Sequence, residues 1–343
     1  MCSFQEPHSA HRGRYLVTPG RVTGQYARDV RAIVVTRSGG PEVLELQEVG
    51  APAPGPGELL VDVAFAGVNF RDIYERRGGY GTPLPVVAGI EGAGRVVALG
   101  DGATGVAVGD RVAWNNAQGS YAEQAVVSAV RAVPVPDGIG DELACAALLQ
   151  GMTAHYLAGS TYPVKPGDEV LVHAAAGGAG RLVVQLAKLR GGRVTATTSG
   201  GDKAELARSA GADEVIGYDE VPEGRFMAVY DGVGSATFDR SLAALRPRGM
   251  LVLYGAASGP VPPFEIMRLN VGSTFLTRPT LVHYVATREE LLYRSGEVYG
   301  WIADGSLDVR VGAIYPLEDA RTAQEDLESR RTTGKLLLSV ARI

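Results

Sequence analysis

The chain has 343 residues, about two domains at roughly 150 residues each, and its 45% hydrophobic and 21% charged residues suit a globular protein with a full core. Two cysteines, Cys2 and Cys145, exclude a disulfide framework and a cysteine-rich zinc lobe. No apolar run reaches the roughly 18 residues of a membrane span, and a net charge of −5 argues against nucleic acid or an anionic membrane as the main partner.

Residues 1–30 carry Arg12, Arg14, Arg21 and Arg28 and no apolar run of signal-peptide length. They read as a disordered leader or an upstream start, with a transit peptide as the alternative. Strands are expected at Arg31–Thr36 and Leu59–Gly67, separated by the proline–glycine turn Ala51–Gly57. Short strands continue at Gly89–Val97, Asp110–Trp114 and Tyr121–Val127. No helix–strand rhythm appears before residue 135, so this half reads as a small, mostly antiparallel β domain. A helical pattern then covers Asp141–Ala158. Apolar strands follow at Val170–Ala175, Arg193–Thr198, Glu214–Tyr218, Met227–Val233, Met250–Gly255 and Ser273–Thr277, alternating with helices. That alternation predicts βαβ units and a doubly wound parallel sheet, hence an α/β fold. Helices are expected at Arg288–Ala303 and Leu317–Ser329, and a last strand, Lys335–Val340, is expected to return to the first domain. The expected division is 31–150 with 286–343 in one domain and 151–285 in the other.

The segment Val170–Lys188 (VLVHAAAGGAGRLVVQLAK) is the most informative. A buried strand runs into Ala175-x-Gly177-x-x-Gly180, and a helix with Leu182, Val183 and Leu186 on its apolar face follows. This is a Rossmann dinucleotide fingerprint with alanine in the first slot. Gly177, Gly178, Ala179 and Gly180 let the backbone approach a pyrophosphate and let helix and strand pack closely, while the helix N-terminus holds the anion. A tight turn without ligand is the alternative. Where an NAD site usually carries Asp or Glu, at the end of the next strand, stand Thr197, Thr198 and Ser199, with Lys203 four residues on. Hydroxyls and a lysine suit a 2′-phosphate and favour NADPH; the alternative for Lys203 is a solvated surface lysine. Asp202 is expected to N-cap the next helix.

With these residues in hand, the chain resembles the zinc-free, zeta-crystallin-like NADPH:quinone oxidoreductases of the medium-chain dehydrogenase/reductase superfamily. The resemblance runs from Arg31 to the C-terminus through GVNFRDIY (67–74), GIEGAG (89–94), LQGMTAHY (149–156), HAAAGGAG (173–180), YDGVG (230–234), RPRGMLVL (246–253), TRPTL (277–281) and TTGKLL (332–337). It implies a GroES-like catalytic domain split around the nucleotide-binding domain, NADPH as reductant, a small quinone or enone as acceptor, a cytoplasmic location and a homodimer or homotetramer. The superfamily's catalytic zinc ligands would fall on Asn69, Ile90 and Gln150; isoleucine cannot ligate and neutral amides ligate poorly. His155, His173 and His283 lack metal spacing and read as structural.

The same resemblance places Asn69 beside the nicotinamide and Tyr74 toward the acceptor, where its hydroxyl would donate to the developing oxyanion. The alternatives are an N-cap for Asn69 and a core tyrosine for Tyr74. Thr153, Gly178, Ser199, Lys203, Tyr218, Val233, Gly255, Phe275 and Arg330 are implied as cofactor contacts, Tyr218 near adenine and Arg330, or its neighbour Arg331, reaching over from the C-terminal segment. Arg71 departs from the usual apolar residue. NFRD resembles the enoyl reductase domains of polyketide synthases, which makes an enoyl-thioester or 2-alkenal reductase the enzymatic alternative. A surface pair of Arg71 with Glu75 is the plainer reading. Ala88 replaces a usual proline. A non-catalytic NADPH-binding protein, crystallin-like or RNA-binding, is the alternative of another class.

One expectation comes from arithmetic. Only Asp219–Phe226 separates the third and fourth strands of the parallel sheet, where relatives carry a helix. In the order 3-2-1-4 the chain must cross about 14 Å sideways and return about 15 Å along the sheet, a diagonal of about 21 Å. Eight helical residues span only about 12 Å and eight extended ones about 26–29 Å. The segment is therefore expected to cross as an extended strap, with Phe226 patching the face it leaves open.

Overall fold

The computed structural model describes residues 29–340, so the leader expected over residues 1–30 lies outside the described residues apart from Asp29 and Val30. Those two open a strand rather than close a leader. The described chain forms two units, one from 29–146, 311–332 and 336–340, the other from 147–310 and 333–335.

The first unit is antiparallel. β1 (Asp29–Val35) pairs with β2 (Leu44–Gly50) and with β4 (Val86–Val87), two strands absent from the sequence reading. β3 (Glu58–Val68) pairs with β5 (Gly92–Leu99) and β7 (Gln124–Ser128); β6 (Arg111–Trp114) bridges β5 to β8 (Val133–Pro134). β3 buries Leu59, Leu60 and Val61 in succession, exposes only Asp62, and buries Ala66, Gly67 and Val68 at its end, the pattern of a strand covered on both faces. Ile33, Leu59, Val61, Trp114 and Tyr121 fill the core beneath it. The short helix α1 (Phe70–Arg76) leaves the end of β3.

The second unit is the doubly wound sheet, preceded by α2 (Asp141–Tyr156), which runs into one π-turn over Leu157–Thr161. Its order is β11-β10-β9-β12-β13-β14, all parallel, from β9 (Glu169–Val172), β10 (Arg193–Thr197), β11 (Glu214–Ile216), β12 (Phe226–Asp231), β13 (Leu245–Leu253) and β14 (Phe275–Thr277). The helices α3 (Gly178–Leu189), α4 (Asp202–Ser209), α5 (Phe238–Ala243), α6 (Leu281–Tyr284) and α7 (Arg288–Ala303) complete the alternation. α7 starts on a capping box in which Thr287 Oγ1 accepts from Glu290 N–H at 3.1 Å and Glu290 returns the bond to Thr287 N–H at 3.3 Å.

The chain then returns to the first unit as β15 (Val311–Pro316), α8 (Ala320–Glu328) and β16 (Lys335–Ser339), the last pairing antiparallel with β3. The expected boundary at residue 286 therefore moves to 311. α7 belongs to the nucleotide-binding unit because it packs there: Arg294 bonds His155, and a Cβ on Gly151 would meet Val298 at 2.6 Å.

The eight-residue crossing is a strap. After one 3₁₀ turn at Tyr218–Glu220 the chain runs without α-helix to β12. Val221 and Phe226 enter the core of that sheet face with Leu171, Val229 and Leu251. Arg225 fastens the end of the strap by pairing with Glu214 at 2.8 Å and Glu169 at 3.1 Å, the first residues of β11 and β9.

Candidate dinucleotide and catalytic sites

In the second unit β9 ends at Val172, and Ala174 takes a left-handed backbone with φ 51° before the glycine turn. Gly177 N-caps α3 in an extended conformation. A Cβ on Gly180 would stand 2.4 Å from the Ala174 carbonyl oxygen, so only glycine lets helix and strand approach this closely. Gly178 and Ala179 form the first turn of α3, whose unpaired N–H groups suit an anion. These features fit a dinucleotide pyrophosphate.

Beside the turn, Thr198, Ser199, Gly200, Ala204, Ile216 and Tyr218 line a pocket of about 430 Å³. Two acids also border it. Asp219 pairs with Arg240 at 3.3 Å, and the Glu220 carboxylate accepts from Gly217 N–H at 2.6 Å. Gly200 and Gly201 both have positive φ, and Gly201 is the N-cap of α4. This corrects the expectation for Asp202, which is the first helical residue; its charge there meets the positive end of the helix. Lys203 follows on the same turn.

Tyr218 stacks on His173, with ring centroids 5.7 Å apart and 17° between planes. His173 is completely buried, and hydroxyls bond both its nitrogens: Thr197 at Nδ1, 2.7 Å, and Ser241 at Nε2, 2.9 Å. The network fixes the tautomer. Ser241 spends its proton on Asp231 Oδ2 at 2.7 Å, so its oxygen accepts from Nε2–H, and Nδ1 accepts from Thr197. Burial holds the imidazole pKa below its ordinary value, against the pull of Asp231, and so favours the neutral ring. Asp231 also accepts from Val233 N–H, Gly234 N–H and the Thr237 hydroxyl. It thereby shapes the loop that carries Val233. Gly255 faces that loop so closely that a Cβ would lie 2.3 Å from Gly232 O.

Other expected contacts lie on other elements. Thr153 bonds its own helix, Oγ1 donating to Leu149 O at 2.7 Å. Phe275 opens the edge strand β14 in the row of Val170, Ala228 and Met250, two residues behind the last row, and is 56% exposed. Parallel strands present ligands at their carboxyl ends, and Phe275 stands at the amino-terminal end of its own. Arg330 lies in the first unit, just past α8, with a left-handed backbone of φ 57°.

In the first unit Asn69 N-caps α1. Its backbone N–H donates to Asp72 Oδ2 at 2.8 Å, and its side-chain amide donates to Gly67 O at 3.1 Å and Glu91 Oε2 at 3.0 Å. Asp72 also accepts from the Tyr121 hydroxyl at 2.9 Å. Burial and the Asp72 charge push the Tyr121 phenol well above its ordinary pKa. Tyr121 fits because Gly89, at φ 85°, has no Cβ; one would come within 2.1 Å of the ring. Tyr74 is half-buried beside Phe70, centroids 6.2 Å apart. Arg71 does not pair with Glu75. Its guanidinium lies 4.9 Å from the Tyr80 ring centre, and Glu75 accepts from Thr82. Ile90 is buried.

Glu91, Asp72, Tyr121, His173, Asp231 and Ser241 were not singled out as site residues. GIEGAG and YDGVG contain two of them, so the signal was a buried-type acid inside each glycine motif. Among the described residues no three His, Cys, Asp or Glu side chains cluster as a metal site, and no helix is long and apolar enough to cross a membrane.

Residues 55–137 match the alcohol dehydrogenase GroES-like domain model, and residues 210–338 match the zinc-binding dehydrogenase model. A quinone oxidoreductase of Salmonella typhimurium is 42% identical over 317 residues, 88% of this chain and 97% of that protein. A 2-haloacrylate reductase of Burkholderia is 38% identical over 329 residues, 90% of this chain and 98% of that protein. A mycobacterial protein solved in complex with NADPH superposes with a TM-score of 0.88 at 48% identity, covering 91% of this chain and 100% of that one.

Proposed function

The chain belongs to the quinone oxidoreductase family of the medium-chain dehydrogenase/reductase superfamily, and from that membership we propose that it reduces quinones with NADPH and without a metal. The observation that carries the reading is the nucleotide rim. It combines a glycine turn with no room for a Cβ at Gly180 and a pocket walled by Thr198, Ser199 and Tyr218 where an NAD site would carry an acid. Lys203 supplies the charge for a 2′-phosphate. Asn69, Ile90 and Gln150 are a donor set that offers no anionic or imidazole ligand to zinc.

Bound NADPH would supply a hydride from its reduced nicotinamide ring. A quinone accepts hydride directly, so the protein's task is to orient the two partners and to donate a hydrogen bond to the oxygen that gains charge. Tyr74 takes that donor role, and Asn69 holds the nicotinamide end. Reduction of an activated alkene is the second reading, favoured by the stacking of half-buried Arg71 on exposed Tyr80 and by the likeness to a 2-haloacrylate reductase. We place the protein in the cytoplasm as a homodimer. β14 ends its sheet as an edge, and Ile266, Met267, Val271 and Phe275 expose apolar surface beside it. Sedimentation should give a dimer that Val271→Asp dissociates.

The test is NADPH oxidation with 1,2-naphthoquinone, with crotonyl-coenzyme A, and with neither. Fast turnover of the quinone alone supports the proposal, turnover of the thioester alone replaces it with the second reading, and NADPH binding without turnover makes the protein a non-catalytic binder.

A further inference from the structure

Asn69 emerges where β3 runs into α1, and Glu91 precedes β5, the strand paired with β3. The register Ala66↔Gly92 sets Glu91 beside this corner, and Gly67 N–H donates to the Glu91 carbonyl at 3.1 Å. The Glu91 carboxylate is completely buried there. Its Oε2 accepts from Asn69 Nδ2 at 3.0 Å, and Gly67 O accepts from the same nitrogen at 3.1 Å.

An amide nitrogen carries two hydrogens, and these two contacts take both. Turned over, the amide would put its oxygen against a carboxylate and a carbonyl, both acceptors, so the orientation is fixed. Toward any ligand, Asn69 can therefore only accept a hydrogen bond, through Oδ1. It cannot donate to an oxyanion.

We propose that Glu91 is a positioning residue that locks Asn69 as a hydrogen-bond acceptor for a donor on the nicotinamide half of NADPH, which leaves stabilisation of the substrate oxyanion to Tyr74. This deepens the proposed function and rests on it. The donor chemistry has two sources, the carboxamide amino group and a hydroxyl of the adjoining ribose.

The experiment is equilibrium binding to the full-length protein. The ligands are NADPH, its 3-acetylpyridine analogue, in which a methyl group replaces the amino group, and 2′-phospho-ADP, which has neither the nicotinamide nor its ribose. If the wild type binds none of them, the functional reading fails. Glu91→Leu should weaken NADPH roughly 3- to 10-fold, the range of one neutral hydrogen bond, and leave 2′-phospho-ADP unchanged. Glu91→Gln should stay near wild type, because its amide oxygen still accepts from Asn69. A wild-type preference for NADPH over the analogue that Glu91→Leu abolishes assigns the donor to the carboxamide; no preference assigns it to the ribose. Equal weakening of NADPH and 2′-phospho-ADP, no weakening of either, or a glutamine variant as weak as the leucine one overturns the proposal. Should the leucine variant not fold, Asn69→Ala carries the test. It removes the acceptor oxygen, so NADPH should weaken while 2′-phospho-ADP does not, and unchanged NADPH binding overturns the proposal.

Discussion

Replacing His173 with phenylalanine isolates the buried network under the nucleotide pocket. The new ring keeps the flat stack against Tyr218 but returns neither hydrogen bond. Ser241 still donates to Asp231 and loses only the bond it accepted. Thr197 loses the acceptor for its hydroxyl in a site where its side chain is fully buried. A buried hydroxyl left without a partner costs about 1–3 kcal/mol and a lost neutral bond about 0.5–1.5, so His173→Phe should destabilise the second unit by about 2–4 kcal/mol at pH 7.5. For a unit of this size that is roughly 5–15 °C in Tm.

The pH dependence sharpens the test. The folded imidazole pKa lies below the unfolded value of 6.5 because burial disfavours the charged ring. Below pH 6.5 the unfolded chain therefore binds a proton that the folded chain refuses, and wild-type stability falls by up to about 1.4 kcal/mol per pH unit from this residue. The variant lacks that dependence, so its deficit should shrink, by up to about 1.4 kcal/mol, between pH 7.5 and 5.5. His155, whose pKa burial also lowers, is common to both proteins and cancels in the comparison. Urea unfolding followed by circular dichroism at the two pH values measures the difference. A deficit that stays constant with pH, or grows toward acid, would falsify the assignment of a neutral ring.

Lys203→Ala should weaken NADPH by roughly 1.5–3 kcal/mol, about 10- to 150-fold, and leave NADH nearly unchanged; equal losses in titrations with both would remove Lys203 from the 2′-phosphate. Tyr74→Phe should lower kcat for quinone with little change in NADPH affinity, and a wild-type kcat would leave Tyr74 as packing. Gly180→Ala, whose Cβ would press on the Ala174 carbonyl at 2.4 Å, should cost about 1–3 kcal/mol of stability and weaken NADPH; calorimetry showing an unchanged Tm would contradict the close packing. Arg225→Met should release the strap from Glu214 and Glu169, seen as faster hydrogen exchange at Val221 and Phe226; protection equal to wild type would show that the apolar contacts hold it alone.

What was legible in the sequence was local or periodic. The glycine turn announces itself because strand, turn and helix are contiguous, and the parallel sheet because its strands recur at regular spacing. Asn69 and Tyr74 stand in one short motif. Their partners are not local. Glu91 lies 22 residues from Asn69 and reaches it only through the β3–β5 register. Thr197 and Ser241 are 24 and 68 residues from His173, so the sequence marks this histidine as structural without showing the network it organises beneath Tyr218. The placement of α7 failed for the same reason: its contacts with His155 and Gly151 span more than a hundred residues of chain, while its own pattern says only that it is a helix.

The strap shows the opposite limit, a tertiary feature legible because geometry left one solution. Eight residues cannot both coil and cross three strand spacings, so the sequence between β11 and β12 had to run extended. Chain length, however, says nothing of how such a segment survives without the hydrogen bonds of a helix. The structure answers with two devices at its ends. Val221 and Phe226 bury apolar surface in the core of that sheet face, and Arg225 spans the amino-terminal ends of β9 and β11 with two carboxylates. Those pairs are partly exposed, so the apolar burial dominates stability and the arginine chiefly fixes register. The clamp sits at the amino-terminal edge of the parallel sheet, at the opposite end of the strap from Asp219 and Glu220, which border the pocket at the carboxyl edge.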